Sequence, residues 1–336
     1  MNLSETKSSA RPFSHIYVEK EAEGYELTDR ILKKFSDSNI IGIRHYKDVF
    51  NRAGQDFILQ KQAKSLILAV NHGELIYPGA KVCQSFGNDF FYYTSSIMNC
   101  IYDCEYCYLQ GMYPSGSIVI FVNIEDYFSR AEEILKEHPM YLCISYDTDL
   151  LAMEEITGIT AGWCNFTLSH PDLKIEIRTK SAYDVSMLAI PPCDRIIFAW
   201  TISPDEITSS FEHNTPLPAI RINAARTAVN NGYTVRLCFD PMIYVPDYRE
   251  IYGRLYKNVF DVLNARDILD VSLGLFRISS TYIKSMRKKR SCRITMYPYS
   301  NIDGVCTYEK ELADKMLSFA KNELLKYVSE DKIYII

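Results

Sequence analysis

Cys100, Cys104 and Cys107 form a C-x3-C-x2-C triplet inside the stretch SSIMNCIYDCEYCYLQGMYPSG. Three thiolates on one short loop can each take one iron of a [4Fe–4S] cube, which leaves the fourth iron open to a ligand from outside the protein. An aromatic residue, Tyr106, directly precedes the third cysteine. Structural zinc, or chance, is the competing reading. Zinc sites usually pair two halves of the C-x2-C or H-x3-H kind, so a lone triplet needs a distant fourth ligand. The remaining cysteines, at 83, 143, 164, 193, 238, 292 and 306, stand singly and supply no second half.

A loop of this kind needs a scaffold, and the flanking pattern supplies one. From about residue 85 apolar strands alternate with helices. Strands are expected at 89–93, 140–146, 173–180, 195–203, 234–240 and 271–276. The clearest helices are the one through NIEDYFSRAEEILKEH, with Asn123 as N-cap, and those at 217–231, 248–264 and 309–327. Thr215 is expected to cap the 217–231 helix, with Pro216 in its first turn and Gly232 as its stop. Strands apolar nearly throughout, separated by helices, imply a parallel sheet covered by helices. The expected form is an α/β fold with a partial (β/α)6 TIM-like barrel, spanning 85–336 together with a C-terminal segment. Residues 1–84 are expected to form a small N-terminal α/β extension packed on it, with residues 1–20 poorly anchored. A doubly wound open sheet is the alternative that periodicity leaves standing. In a barrel the chemistry gathers at the C-terminal strand ends, here Tyr146–Asp149, Lys180, Ser203 and Asp240.

The triplet with its aromatic resembles the cluster loop of the radical S-adenosylmethionine enzymes. Cys107-Tyr108-Leu109-Gln110 followed by IVIFVNIEDYF is similar to the spore photoproduct lyase family, and the likeness extends to NRAGQDFILQKQAKSLILAV, to FEHNTPLPAIRINAARTAVNNGY and to the short terminal strand. The resemblance implies a [4Fe–4S] cluster on Cys100, Cys104 and Cys107 whose open iron binds S-adenosyl-L-methionine. It further implies reductive cleavage to a 5′-deoxyadenosyl radical, and a substrate in which two thymines of ultraviolet-damaged DNA are joined through a methylene bridge. The radical takes a hydrogen from C6 of the saturated ring, the bridge breaks, and the thymine radical left behind must be quenched. Lys180 matches a family lysine that contacts the cofactor, and its cation suits the methionyl carboxylate. Thr148 and Asp149 match a Ser-Asp pair, and Thr201 and Ser203 match polar positions on the next strand; singly, each is as well read as a strand-end residue satisfying backbone groups.

The chain departs from the family at the quenching residue. Where the family has a cysteine opening a Cys-Thr-Ser-Asp segment, this sequence reads Tyr146-Asp147-Thr148-Asp149. A thiol is still expected near the site. Cys143 lies an odd number of residues before Tyr146, which in a continuous strand turns it to the opposite face. Cys83, in GAKVCQSFGNDFF, is therefore the expected hydrogen donor, with Tyr106, Tyr108 and Tyr146 as relays. The competing reading of Cys83 is a small buried hydrophobe.

The run TYIKSMRKKRSCR holds Lys284, Arg287, Lys288, Lys289, Arg290 and Arg293. Such a patch suits phosphate binding that is salt-dependent and blind to base sequence, or is simply a solvated helix face. Asn301–Gly304 suggests a turn beside it. The lesion would have to be flipped from the duplex, with Tyr244, Tyr297 and Tyr299 packing against it and Arg277 and Arg221 holding phosphates or pairing with acids. The net charge of −5 argues against a broad electrostatic footprint on DNA.

Ten cysteines without an apolar leader point to reduced thiols, and no apolar run is long enough for a membrane helix. A monomeric cytoplasmic enzyme is expected, in the spore core by resemblance, served by an unidentified low-potential electron donor. The alternatives are a divergent radical S-adenosylmethionine enzyme with another substrate and a non-enzymatic zinc or iron–sulfur protein.

Overall fold

The computed structural model describes residues 13–80 and 83–336. Two large sheets carry most of the described strands, beside a two-stranded and a three-stranded one. In the larger, strands Phe91–Thr94, Met140–Cys143, Leu173–Thr179, Ile196–Thr201, Thr234–Met242 and Asp270–Leu275 lie side by side in chain order, all parallel, and Ile333–Ile335 extends the row. A doubly wound sheet reverses its strand order at a switch point; this one winds in a single direction, and the open-sheet alternative falls. Ile76–Pro78 pairs antiparallel at one edge and Ile333–Ile335 ends the other, which makes a partial barrel.

The smaller sheet runs Asn39–Ile43, His15–Glu19, Ser65–Ala69, Ile118–Phe121, Ile97–Met98, and so draws on residues either side of position 84. Residues 1–12 lie outside the described chain, but His15–Glu19 overturns the expectation of poor anchoring as far as residue 20. It is an interior strand, with Ile16 and Val18 buried and the Glu19 carboxylate accepting from the N–H groups of Tyr46 and Val70.

Several boundaries shift for identifiable reasons. Asn123 stands at the N-cap of helix Ile124–Leu135, but its side chain exchanges hydrogen bonds with the backbone of Asn71 instead of capping. The helix expected from 217 is Pro218–Asn230, capped at Leu217, because the Thr215 hydroxyl is spent on the carbonyl of Glu212. The strand expected over 140–146 ends at Cys143. Beyond it the chain turns across the barrel mouth, so strand alternation does not relate Cys143 to Tyr146.

Period-two alternation divides each barrel strand into an apolar outer face and an inner one. Leu173, Ile175 and Ile177 are fully buried among apolar neighbours, while Glu176 and Arg178 line the interior. Arg236 bridges the floor: its guanidinium donates to Asp270 at 2.5 and 2.8 Å, to Tyr141 Oη at 2.9 Å and to Glu176. The ring of Phe86 covers it, with the guanidinium carbon 3.3 Å from the centroid. Burial pushes the Glu176 carboxyl up, but Arg178 and Arg236 together hold it below the ordinary glutamate range.

Replacing Arg236 by Met leaves Glu176 and Asp270 buried without their counter-charge. Removing one partner of such a group costs about 3–5 kcal/mol. The urea midpoint of Arg236→Met at neutral pH should fall accordingly; a midpoint equal to that of the parent chain would mean that this network does not hold the barrel floor.

Candidate functional site

The cysteine loop leaves the smaller sheet after Met98 and returns to it at Ile118. Asn99 starts it in a left-handed turn (φ 66°), its side-chain amide donating to the carbonyls of Ser115 and Ser117 at 2.7 Å each. Lys61, almost fully buried, donates to the carbonyls of Cys100 (2.5 Å) and Tyr102 (3.1 Å). Gln110 donates to the carbonyl of Cys104 at 2.6 Å, and the Tyr102 N–H approaches Cys100 Sγ at 3.4 Å. The loop is thus held mainly by its backbone carbonyls, which leaves the thiols to face inward. All ten cysteines are free thiols.

Cys100, Cys104 and Cys107 line a cavity of about 420 Å³ between this loop and the C-terminal strand ends, a size suited to a small-molecule cofactor. Cys83, Tyr106, Tyr108, Tyr146, Thr148, Asp149, Lys180, Thr201 and Arg277 line the same space. Cys143 does too, which overturns its assignment to an opposite face. Burial pushes the thiols of Cys100, Cys104, Cys107 and Cys143 up, Cys100 to about 11 and Cys143 to about 12. Among the described residues no three His, Cys, Asp or Glu side chains converge on one metal ion. A cubane takes one thiolate at each of three separate iron corners.

Thr148 Oγ1 is buried in the cavity wall with no hydrogen-bond partner, and a polar cofactor would satisfy it. Asp149 lines the cavity, but its carboxylate is engaged within the protein, as the strand-end reading expects. Its carboxylate already accepts from Lys180 N–H (2.6 Å), Thr179 Oγ1 (2.7 Å) and Ala152 N–H (3.0 Å), so it shapes the strand end. Burial pushes this carboxyl up, against those hydrogen bonds. Ser203 is not in the cavity wall; it donates to Glu212 Oε1 at 2.7 Å.

Glu212 was not legible as a site residue, and it joins the two walls. It accepts from Tyr106 on the cysteine loop, from Ser203 and from Arg221 Nη2 (2.5 Å), and Lys180 Nζ lies 3.7 Å away. Residues 212–213 also pair as a strand with 103–104 of the loop. Arg221 is fully buried in this pair, so it cannot reach a DNA phosphate. Lys180 sits 5.4 Å from the Tyr106 ring centroid, and although burial opposes its charge, Glu212 keeps its ammonium above the ordinary lysine range. The FEHNTP stretch contained Glu212, but an isolated acid in sequence carries no sign of burial.

On the other side of the cavity Cys83 Sγ lies 3.7 Å from Tyr146 Oη. Tyr146 stacks on Tyr93 (centroids 4.1 Å, 27°) and its carbonyl accepts from Tyr108 Oη at 2.6 Å. Tyr108, Tyr113 and Ser95 all donate to the buried Asp147.

The basic segment forms helix Ser280–Lys289 and the turn after it. Lys284, Lys288 and Arg293 are exposed, as is Arg277 at the cavity mouth. Arg287 donates to the carbonyls of Thr295 (2.7 Å) and Tyr297 (3.3 Å), and Lys289 and Arg290 are held by the cysteine loop. Asp303 and Gly304, both at positive φ, turn a hairpin between Ser300–Ile302 and Val305–Thr307 as the sequence suggested. Tyr299 is half-buried against Phe276, Tyr297 and Tyr308, and Tyr244 packs in the same aromatic cluster.

Burial raises the Glu212 carboxyl, yet Lys180 and Arg221 bring it down to about 2. A depressed carboxyl adds stability that is complete above its unfolded value and is lost as pH falls through the folded one. Glu212→Gln should therefore lower stability at neutral pH by about 3–5 kcal/mol and flatten the loss seen between the ordinary glutamate range and pH 2. Parallel stability–pH curves for variant and parent would contradict this assignment.

A sequence model of the spore photoproduct lyase family matches residues 12–332. The spore photoproduct lyase of Geobacillus sp. (strain Y412MC61) is 21% identical over 325 residues, covering 94% of this chain and 90% of the relative. That of Bacillus subtilis (strain 168) is 24% identical over 253 residues, 73% of this chain and 72% of the relative. Among solved structures, a spore photoproduct lyase complexed with dinucleoside spore photoproduct superposes with a TM-score of 0.81 at 18% identity, over 96% of this chain and 98% of that one. A mutant lyase with bound AdoMet and dinucleoside spore photoproduct gives 0.78 at 18% identity, with the same coverage. With the family model spanning nearly the whole described chain and the barrel order as found, the chain belongs to the spore photoproduct lyase family.

Proposed function

We propose that this protein reverts the methylene-bridged thymine dimer of ultraviolet-damaged double-stranded DNA to two thymines, as a radical S-adenosylmethionine lyase. The observation that carries the reading is the meeting, in one cavity, of the three-cysteine loop with a separate thiol–phenol pair, Cys83 and Tyr146. Cys100, Cys104 and Cys107 hold the [4Fe–4S] cluster. Lys180 meets the methionyl carboxylate of S-adenosylmethionine, and Thr148 and Thr201 take its remaining polar groups. Asp149 and Ser203 serve from behind, by fixing the Lys180 backbone and the Glu212 carboxylate. When bound, the reduced cluster and S-adenosylmethionine supply a 5′-deoxyadenosyl radical, and a low-potential donor supplies the electron.

The chain's own residues then decide the fate of the substrate. The Cys83 S–H bond breaks, and its hydrogen atom completes the methyl group of the thymine radical. The thiyl left on Cys83 takes the hydrogen atom of the Tyr146 hydroxyl, Tyr108 beside it being a further relay. One electron from the low-potential donor with one proton from solvent restores the phenol. Tyr106, whose hydroxyl is held by Glu212 in the opposite wall, stays outside this relay. Tyr146 thus occupies the family cysteine's place in sequence, while the thiol arrives from another segment. Arg277 and the exposed Lys284, Lys288 and Arg293 hold backbone phosphates, and Tyr299 lines the approach with its aromatic neighbours. The three remaining cations of the basic segment serve the protein rather than the DNA.

Incubation of the reduced, reconstituted protein with DNA irradiated in the dry state tests the reading. Thymine should be restored. Cys83→Ala should still consume lesion, with clean thymine yield falling at least about tenfold and adducts of the unquenched radical appearing. Clean repair by Cys83→Ala would remove that residue from the mechanism, and absence of repair by the parent chain would remove the reading. Replacing Lys284, Lys288 and Arg293 together by Gln should weaken duplex binding whatever its sequence and reduce the slope of log K against log salt by about 0.9 for each phosphate no longer neutralised. An unchanged slope would place the DNA elsewhere.

A further inference from the structure

Two of the six cations of the basic segment, Lys289 and Arg290, point into the protein, onto the loop that bears the three cysteines. Lys289 Nζ donates to the carbonyls of Gln110 (2.7 Å) and Tyr113 (2.5 Å) and lies 4.9 Å from the Phe57 ring centroid. It thereby takes up carbonyls at the end of the short helix Leu109–Met112, which directly follows Cys107. Arg290 Nη2 pairs with Asp103 Oδ2 at 2.6 Å, with both side chains about nine-tenths buried, and its Nη1 lies 3.8 Å from Glu105 Oε1. Asp103 and Glu105 flank Cys104. The same two helices touch at Gly111, where a Cβ would come within 2.5 Å of Tyr282 Cβ and 2.6 Å of its carbonyl oxygen. No side chain larger than hydrogen fits between them.

The outer face of that helix carries Lys284 and Lys288, exposed, with exposed Arg293 just beyond it. The strand before it, Arg277–Ser279, pairs antiparallel with Val305–Thr307 of the hairpin. One rigid element therefore has cations for a polyanion on one side and the cysteine loop on the other.

We propose that Lys289 and Arg290 are positioning residues that clamp the cysteine loop, and that double-stranded DNA held on the outer face of helix Ser280–Lys289 tightens this clamp, coupling duplex binding to the order of the cluster-bearing loop. The proposal rests on the DNA-binding part of the functional reading but not on lyase activity. The physical basis is a short lever. Before duplex binds, Lys284, Lys288 and Arg293 repel one another and the other cations of a densely basic helix end; phosphates remove that repulsion. The helix end, with Lys289 and Arg290 on it, then settles against Asp103 and the Gln110 and Tyr113 carbonyls.

Hydrogen exchange on the full chain, with and without a short undamaged duplex, tests this directly. In the parent chain the duplex should slow amide exchange across residues 100–113. Arg290→Gln should speed exchange there about tenfold without duplex, and Arg290→Lys should restore most of the protection. Lys289→Met provides a second variant that keeps the buried ion pair intact and should loosen 109–113 alone. The triple Gln variant at Lys284, Lys288 and Arg293 removes the repulsion itself, so its loop should exchange more slowly than the parent's without duplex and show no further response to it. With the reconstituted protein, the electron paramagnetic resonance signal of the reduced cluster should sharpen on adding duplex in the parent and not in Arg290→Gln. A parent loop indifferent to bound duplex, or an Arg290→Gln loop as protected as the parent's, would overturn the proposal. Because the duplex carries no lesion, loop protection without thymine release from damaged DNA would leave the clamp standing and sink the lyase reading; thymine release without loop protection would do the reverse.

Discussion

The Glu212 carboxylate is the interaction on which the site depends. It lies fully buried and takes charge or hydrogen from Arg221, Lys180, Tyr106 and Ser203, groups carried by different parts of the chain. A buried ion pair is tolerable only when its remaining lone pairs and protons are met, and here they are. That requirement fixes the distance between the cysteine loop and the strand ends, because Tyr106 belongs to one and Lys180 to the other. It also explains why Arg221, a basic residue in a stretch shared with the family, has nothing left for a phosphate.

The barrel floor repeats the same logic one layer lower. Arg236 satisfies Glu176 and Asp270, while Arg178 joins Glu176 to Asp240 at the cavity wall. The inner face of a tightly curved sheet is too narrow for solvent, so polar groups there must pair with one another. Strand alternation makes this possible, placing charges on one face and Leu173, Ile175 and Ile177 on the other. The cavity above thus rests on a polar but fully paired base.

Charge in the C-terminal segment divides by geometry. A run of six cations suggests one surface, but a helix presents its residues around a circle. Lys289 on the helix and Arg290 just past its end turn to the cysteine loop, while Lys284 and Lys288 lie on the face turned away. The acidic loop residues Asp103 and Glu105 are what draw the inner pair in.

The cysteine triplet was legible by type and spacing alone, because these three thiols stand close in sequence as well as in the cavity wall. The alternation of apolar strands and helices was enough for the parallel barrel, since burial on both faces leaves a continuous apolar signature. That Lys180 and Thr148 would stand at the barrel mouth followed from their positions at strand ends. Tertiary structure decided the rest. It brought Cys83 to Tyr146 across sixty-three positions, buried Glu212 and Arg221 together, gave Asp149 three internal donors, and sorted the basic run into two faces. None of these leaves a local trace, because each depends on partners distant in the chain. The strand at 140 illustrates the limit: its residues predict alternation correctly, but where the strand stops is set by what the chain meets at the barrel mouth, and that left both Cys143 and Tyr146 lining one cavity.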